Sequence, residues 1–200
     1  STCQLLVETY EAQANPTCSK GSVTPLQLAV WQNRLNIVQY LVTRIRQEHR
    51  KRLQRGGNDD NNNNNNVDVV LERNDFACGL QHWIGLIPPH RWLSQDGSGV
   101  LPLARYLHQQ GLSYQSTPTN VQNQGHAPLH KAAWGGNVAL LAYYCYDHGV
   151  YDTVQDASGN YAADLAHMGG HPQATEWLRR YASRARYDSC TILGLPVTAT

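Results

Sequence analysis

The chain lacks most of the features that announce chemistry or a membrane. Its 200 residues include one methionine, Met168, and 16 Lys or Arg against 15 Asp or Glu, so the formal net charge is only +1. Such a balance gives no general electrostatic reason to seek nucleic acid or an acidic surface. No apolar run approaches the roughly 20 residues that a bilayer-spanning helix needs. No signal peptide is expected at the start of the chain. Because it opens on Ser1, a fragment or processed product is expected.

Cysteine is scarce and scattered: Cys3, Cys18, Cys78, Cys145 and Cys190, an odd number without a C-x-x-C pair. That spacing argues against a disulfide framework and for a reduced, intracellular setting, either cytoplasm or nucleus. A structural zinc site wants four ligands in paired spacing. Cys78 with His82, and Cys145 with His148, are single pairs, so the nine histidines are read as structural or exposed. Enzyme signatures are missing as well: there is no P-loop, no dinucleotide fingerprint and no G-x-S-x-G elbow, since Gly97-Ser98-Gly99 is too short a match. Asp152 and Asp156 stand four apart in a loop, where aspartate ordinarily caps a turn through nearby backbone N–H groups. The expectation is a non-enzymatic chain with no cofactor and no metal.

What is present is repetition. Gly125 to Asn137 reads as a tight turn, a Pro-started short helix and a glycine stop. Proline costs nothing in a first helical turn, because its missing N–H is an orphan donor there anyway. The same layout occurs at Thr24-Pro25-Leu26-Gln27-Leu28-Ala29-Val30 with Asn33, and at Tyr161-Ala162-Ala163-Asp164-Leu165-Ala166-His167 with Gly170-His171. Gly136 and Asn33 can take the left-handed conformation that ends a helix. Second helices follow, with apolar residues at helical spacing: Leu35, Val38, Leu41 and Val42 in one, Val138, Leu141 and Cys145 in another. Each pair is too small to bury its own apolar face, so neighbours must stack into a continuous core.

These segments resemble the ankyrin repeat, T-P-L-H-x-A-A-x-x-G-H followed by a second helix and a glycine-bearing loop. Ala127-Pro128-Leu129-His130 carries the clearest match, Gly149 to Gly159 resembles the family's linking loop, and the match at Tyr161 lies 34 residues after the one at Ala127. The resemblance implies an all-α helical repeat solenoid of about three recognisable repeats plus one degenerate copy. That copy would use Leu80 to Ile84 as its first helix and Leu101 to Gln110 as its second, closing at Gly111. Trp83 falls where the family usually has alanine, and Pro88-Pro89 through Gly99 is an insertion expected to project from the stack. The implied organisation is 1–55, an N-terminal repeat with a long basic second helix; 56–67, an Asn-rich linker; 68–124, the degenerate repeat; 125–187, two repeats and a capping helix; 188–200, a tail.

The resemblance also implies a use. In that family partners dock on a concave face, and the positions after the alanine pair, with the loop tips, point into it. Here they are Trp31, Gln32, Trp134 and Met168 on the helices, and Asn123, Gln124, His126, Ala157, Ser158 and Asn160 in the loops. His130 takes the place where the family's histidine ties neighbouring repeats together. Two readings of Trp31 and Trp134 stay open: exposed anchors for a protein partner, or packing against the next helix. The expected role is a monomeric, non-catalytic protein-interaction module.

One charge asymmetry stands apart. Arg44, Arg46, Arg50, Lys51, Arg52 and Arg55 face only Glu48, and six consecutive asparagines, Asn61 to Asn66, follow shortly after. A homopolymeric polar tract buries nothing apolar and is expected to be a disordered linker. The basic run reads as a solvated helix face, a targeting signal or a phosphate-neutralising patch. Without aromatics for stacking or a reading motif it does not favour nucleic acid. A nucleic-acid-associated adaptor and the targeting module of a larger enzyme are the alternatives.

Overall fold

The computed structural model describes residue 8 and residues 23–54, 79–116 and 124–183. The expected Asn-rich linker, the C-terminal tail, residues 1–7 and 9–22, and Cys78 lie outside the described residues. Within them, 66% of positions are helical and there is no strand; one isolated parallel bridge joins Asp152 to Ser183. No helix among them is long and apolar enough to cross a membrane.

Short first helices alternate with second helices, the last of which (Pro172–Trp177) is continued by a π-helical turn (Leu178–Ala182). In chain order they are α1 (Pro25–Trp31), α2 (Leu35–Gln54), α3 (Leu80–Trp83) continued by a 3-10 turn (Ile84–Leu86), α4 (Leu101–Gln109), α5 (Pro128–Gly135), α6 (Val138–His148), α7 (Ala162–Met168) and α8 (Pro172–Trp177). The short helices α1, α3, α5 and α7 lie side by side in that order, while α4, α6 and α8 form a second layer behind them. The core sits between the layers. It is built from Val38, Leu41, Val42 and Ile45 of α2, Leu103 and Leu107 of α4, and Leu140, Leu141 and Tyr144 of α6.

Each short helix starts from an extended cap residue: Thr24, Gly79, Ala127 and Tyr161. Three of the caps are closed by the side chain three residues on, each with a different acceptor. The Thr24 N–H donates to Gln27 Oε1 at 2.8 Å, the Ala127 N–H to His130 Nδ1 at 3.1 Å, and the Tyr161 N–H to Asp164 Oδ2 at 3.0 Å. An orphan N–H is satisfied in every case. The helices stop where a residue turns left-handed: Asn33 at φ 52°, Gly136 at φ 72° and Gly170 at φ 75°, nine residues after their caps at 24, 127 and 161. Nine residues after Gly79 stands Pro88 with φ −71°, whose ring forbids that turn. The chain therefore runs on, and the insertion begins.

The insertion does not project freely, contrary to the expectation for it. Asn33 Nδ2 donates to the carbonyls of Arg91 (2.9 Å) and Gly99 (3.2 Å), and Asn137 Nδ2 donates to that of Gly97 (3.1 Å). Trp92 folds back to donate its indole N–H to the Ile87 carbonyl at 2.8 Å, and Val100 is fully buried. The cause is local: the side chains of Asn33, itself a helix stop, and of Asn137, next to one, reach backbone carbonyls at the ends of the insertion's short 3-10 turns. Register in the same repeat also differs. Counted from Gly79, the position held by Ala29, Ala132 and Ala166 in the other helices belongs to Ile84, and Trp83 takes the one before it. Gly85 follows, and there is a reason for glycine: a Cβ would lie 2.5 Å from the Ala132 nitrogen.

Candidate functional site

The common caps put unlike residues in one register. Seven residues after 24, 79, 127 and 161 come Trp31, Leu86, Trp134 and Met168, all apolar and each at, or for Trp134 one residue before, the end of its short helix or 3-10 turn. Because these helices are neighbours in order, the four side chains form a stripe across the short-helix layer. Its members differ in exposure. Trp134 is 46% and Met168 54% exposed. Trp31 is half-buried, donates its indole N–H to the Leu86 carbonyl at 3.1 Å, and carries the Arg91 guanidinium 5.1 Å above its ring. Four residues after the caps stand Leu28, Trp83, Lys131 and Leu165, a second row beside the first.

Between Leu86 and Trp134 the face opens into a cleft of about 270 Å³, lined by those two residues with Gln124, His126, His130, Lys131 and Leu165. The loops at its mouth are tied together. The Ala157 N–H donates to the Gln124 carbonyl at 2.9 Å, and His126 Nε2 lies 3.3 Å from Asp156 Oδ2. Asp156 is buried and gathers its own loop, accepting the N–H groups of Ser158 and Asn160, each at 2.8 Å. Burial pushes its carboxyl up, but the Asn160 and Ser158 bonds outweigh it and hold the pKa down at about 2. Burial moves the His126 ring the other way, lowering its pKa with help from the Lys131 charge and against the pull of Asp156. The ring is therefore a neutral N–H donor to the carboxylate at neutral pH, and the low Asp156 pKa rests first on the backbone and side-chain N–H groups of Asn160 and the backbone N–H of Ser158, with His126 contributing least. His130 is shifted down by burial too; the backbone of Asn160 and Val154 offsets this only in part.

The expected site residues thus fall into three groups. Trp134, Gln124 and His126 line the cleft, and Met168 stands exposed on the stripe beyond it. Ala157 and Ser158 are exposed loop tips, whereas the Asn160 amide is occupied by Asp156 Oδ2 at 3.1 Å. Trp31 and Gln32 are half-buried at the far end, and Asn123 lies outside the described residues. Leu86, Lys131 and Leu165 were not among the sequence candidates. Counting from the cap finds them; matching motifs does not, because Gly79-Leu80 hides the start of its helix.

Other reactive side chains sit in structural roles. Asp152 is 3% exposed and accepts the Ala162 and Ala163 N–H groups at 2.8 and 2.9 Å, at the start of α7. The Cys145 thiol is fully buried and donates to the Val150 carbonyl at 2.9 Å; burial pushes its pKa up to about 12, far from a reactive thiolate. Of the basic run, Arg44 pairs with Glu8 (3.3 Å) and Tyr40, and Arg46 donates to Gln110. No group of three or more potential metal ligands occurs among the described residues.

No protein-family model and no curated protein matches the chain.

Proposed function

We propose that this chain is an ankyrin-like helical array whose short-helix face binds a protein partner without chemistry of its own. The observation that carries the proposal is the apolar stripe of Trp31, Leu86, Trp134 and Met168, interrupted by a cleft and set seven residues after four extended cap residues. The capped short helices, their left-handed stops and the longer helices behind them fit the ankyrin reading. A tryptophan half-exposed on a packed scaffold is the residue type that dominates interface energies, with losses on truncation of about 2 kcal/mol or more. The fold does not require that exposure: Trp134 carries apolar area that water must cover unless something else does.

The test is affinity capture from a lysate of the source, comparing the intact chain with Trp134→Ala/Met168→Ala. Both side chains are exposed, so the double variant should keep the helical circular-dichroism signal and melting point. A discrete protein retained by the first and lost by the second is the expected result. Captured proteins indifferent to the two substitutions, or an eluate of nucleic acid, would refute the proposal and move attention to α2.

A further inference from the structure

We infer that the face binds a second copy of this chain, with Leu93 of one copy entering the cleft beside Trp134 of the other. This rests on the proposal that the short-helix face binds a protein, and names that protein; it departs from the monomer expected from the sequence.

Three observations carry it. The first is a knob. Leu93, in the insertion, is 75% exposed, more than any other large apolar side chain among the described residues. Its backbone is left-handed, at φ 63°, a conformation that costs glycine little and a leucine much more. The side chain stands in water, so burial does not offset that strain and folding gives no reason for leucine here. The second is rigidity, because the residues on both sides are tied down. Asn33 Nδ2 holds the Arg91 carbonyl, the Trp92 indole N–H donates to the Ile87 carbonyl at 2.8 Å, and Ser94 Oγ accepts the Gly99 N–H at 2.7 Å. Gly99 packs so closely that a Cβ there would fall 2.1 Å from the Trp92 carbonyl oxygen. A knob fixed before it meets its partner loses little freedom on docking. The third is a hole in the same molecule. The cleft, at about 270 Å³, is below the range for drug-sized ligands, and its apolar walls of Leu86, Trp134 and Leu165 suit one large apolar side chain. Leu93 is not among the residues that line it. Each copy carries both knob and hole, so a two-fold pairing makes the contact twice and closes. With a formal net charge of only +1, no long-range repulsion holds two copies apart.

The experiment is sedimentation velocity on the full chain, wild type against Leu93→Asp, Leu93→Gly and Trp134→Ala. An interface built on two such contacts is of the small, transient class, so the chain is followed from about 10 to about 500 µM. The expected result is a weight-average mass that rises with concentration toward two chains in wild type and stays at one chain in the variants. At the lowest concentration Leu93→Gly should melt no lower than wild type, because it relieves the left-handed strain; a lower melting point would give the leucine a folding role and overturn the inference. The Trp134 indole N–H resonance, identified by its loss in Trp134→Ala, should shift with concentration in wild type and stay fixed in Leu93→Gly. A wild type that remains a single chain throughout overturns this inference and leaves the binding face to the capture experiment. Association that persists in Leu93→Gly, or that leaves the Trp134 resonance unmoved, overturns the pairing of knob and hole.

Discussion

Replacing Asp152 by asparagine should abolish a pH dependence of stability whose sign is opposite to the usual one for a helix-capping carboxylate. Asp152 accepts two N–H groups at the start of α7, an arrangement that by itself favours the charged form. Burial acts first and more strongly, and the nearby Asp164 charge adds to it, so the carboxyl is raised from 3.8 to about 6. A folded-state pKa above the unfolded one means that the native protein holds a proton the unfolded chain has released. Stability from this group is therefore fully present below pH 3.8 and is lost as pH rises through about 6. Two pKa units correspond to about 3 kcal/mol. The assay is urea unfolding of wild type and Asp152→Asn across that window, read as the difference in unfolding free energy at each pH. The difference should fall by about 3 kcal/mol in the wild type's disfavour between acid and neutral pH, because asparagine does not titrate. A flat difference, or one that grows with pH, would mean that the two backbone donors outweigh burial, and the reasoning would be refuted.

Two further substitutions test the packing. Gly85→Ala should destabilise by about 1–3 kcal/mol, although alanine is ordinarily better than glycine in a helix by about 1 kcal/mol, because the new Cβ would meet backbone atoms of α5 at 2.5 and 2.8 Å; thermal unfolding decides, and a stabilised variant would show that α3 and α5 are not in such close approach. Tyr144→Phe should stabilise by about 1 kcal/mol, raising the melting point by about 2–4 °C, since its ring is fully buried against Tyr114 with centroids 4.4 Å apart and its hydroxyl has no hydrogen-bond partner; a lower melting point would reveal a partner for that hydroxyl.

What could be read from the sequence was what local physics decides. Proline in a first turn placed the starts of α1 and α5, and Asn33 and Gly136 placed their stops, because each satisfies a backbone requirement within a few residues. The long basic helix is α2, running to Gln54. What escaped was set by contacts distant in the chain. The bonds from Asn33 to Arg91 and Gly99 join residues 58 and 66 apart, and no pattern near position 33 announces them. The alignment of Trp83 with an alanine position failed because Gly79 is a cap without a side chain, so nothing in the residue types fixed where α3 begins. Trp31, one of two tryptophans in equivalent positions, is half-buried and meets the Leu86 carbonyl and the Arg91 guanidinium, both supplied by the irregular repeat.

The caps also explain why register is legible while the use of the exposed face is not. Closing a cap needs an acceptor three residues on, and Gln27, His130 and Asp164 meet that need with an amide, an imidazole and a carboxylate. The requirement is geometric rather than chemical, so the sequence can drift at that position while the backbone stays in place. The side chains seven residues after the cap, Trp134 in α5 and Met168 in α7, close no cap. A tryptophan left 46% exposed between Leu86 and Met168 is therefore where the proposed binding face is best tested. Substitution at 134 should change binding with little effect on the melting point, whereas a change at 164, which removes the acceptor that closes the α7 cap, should do the reverse.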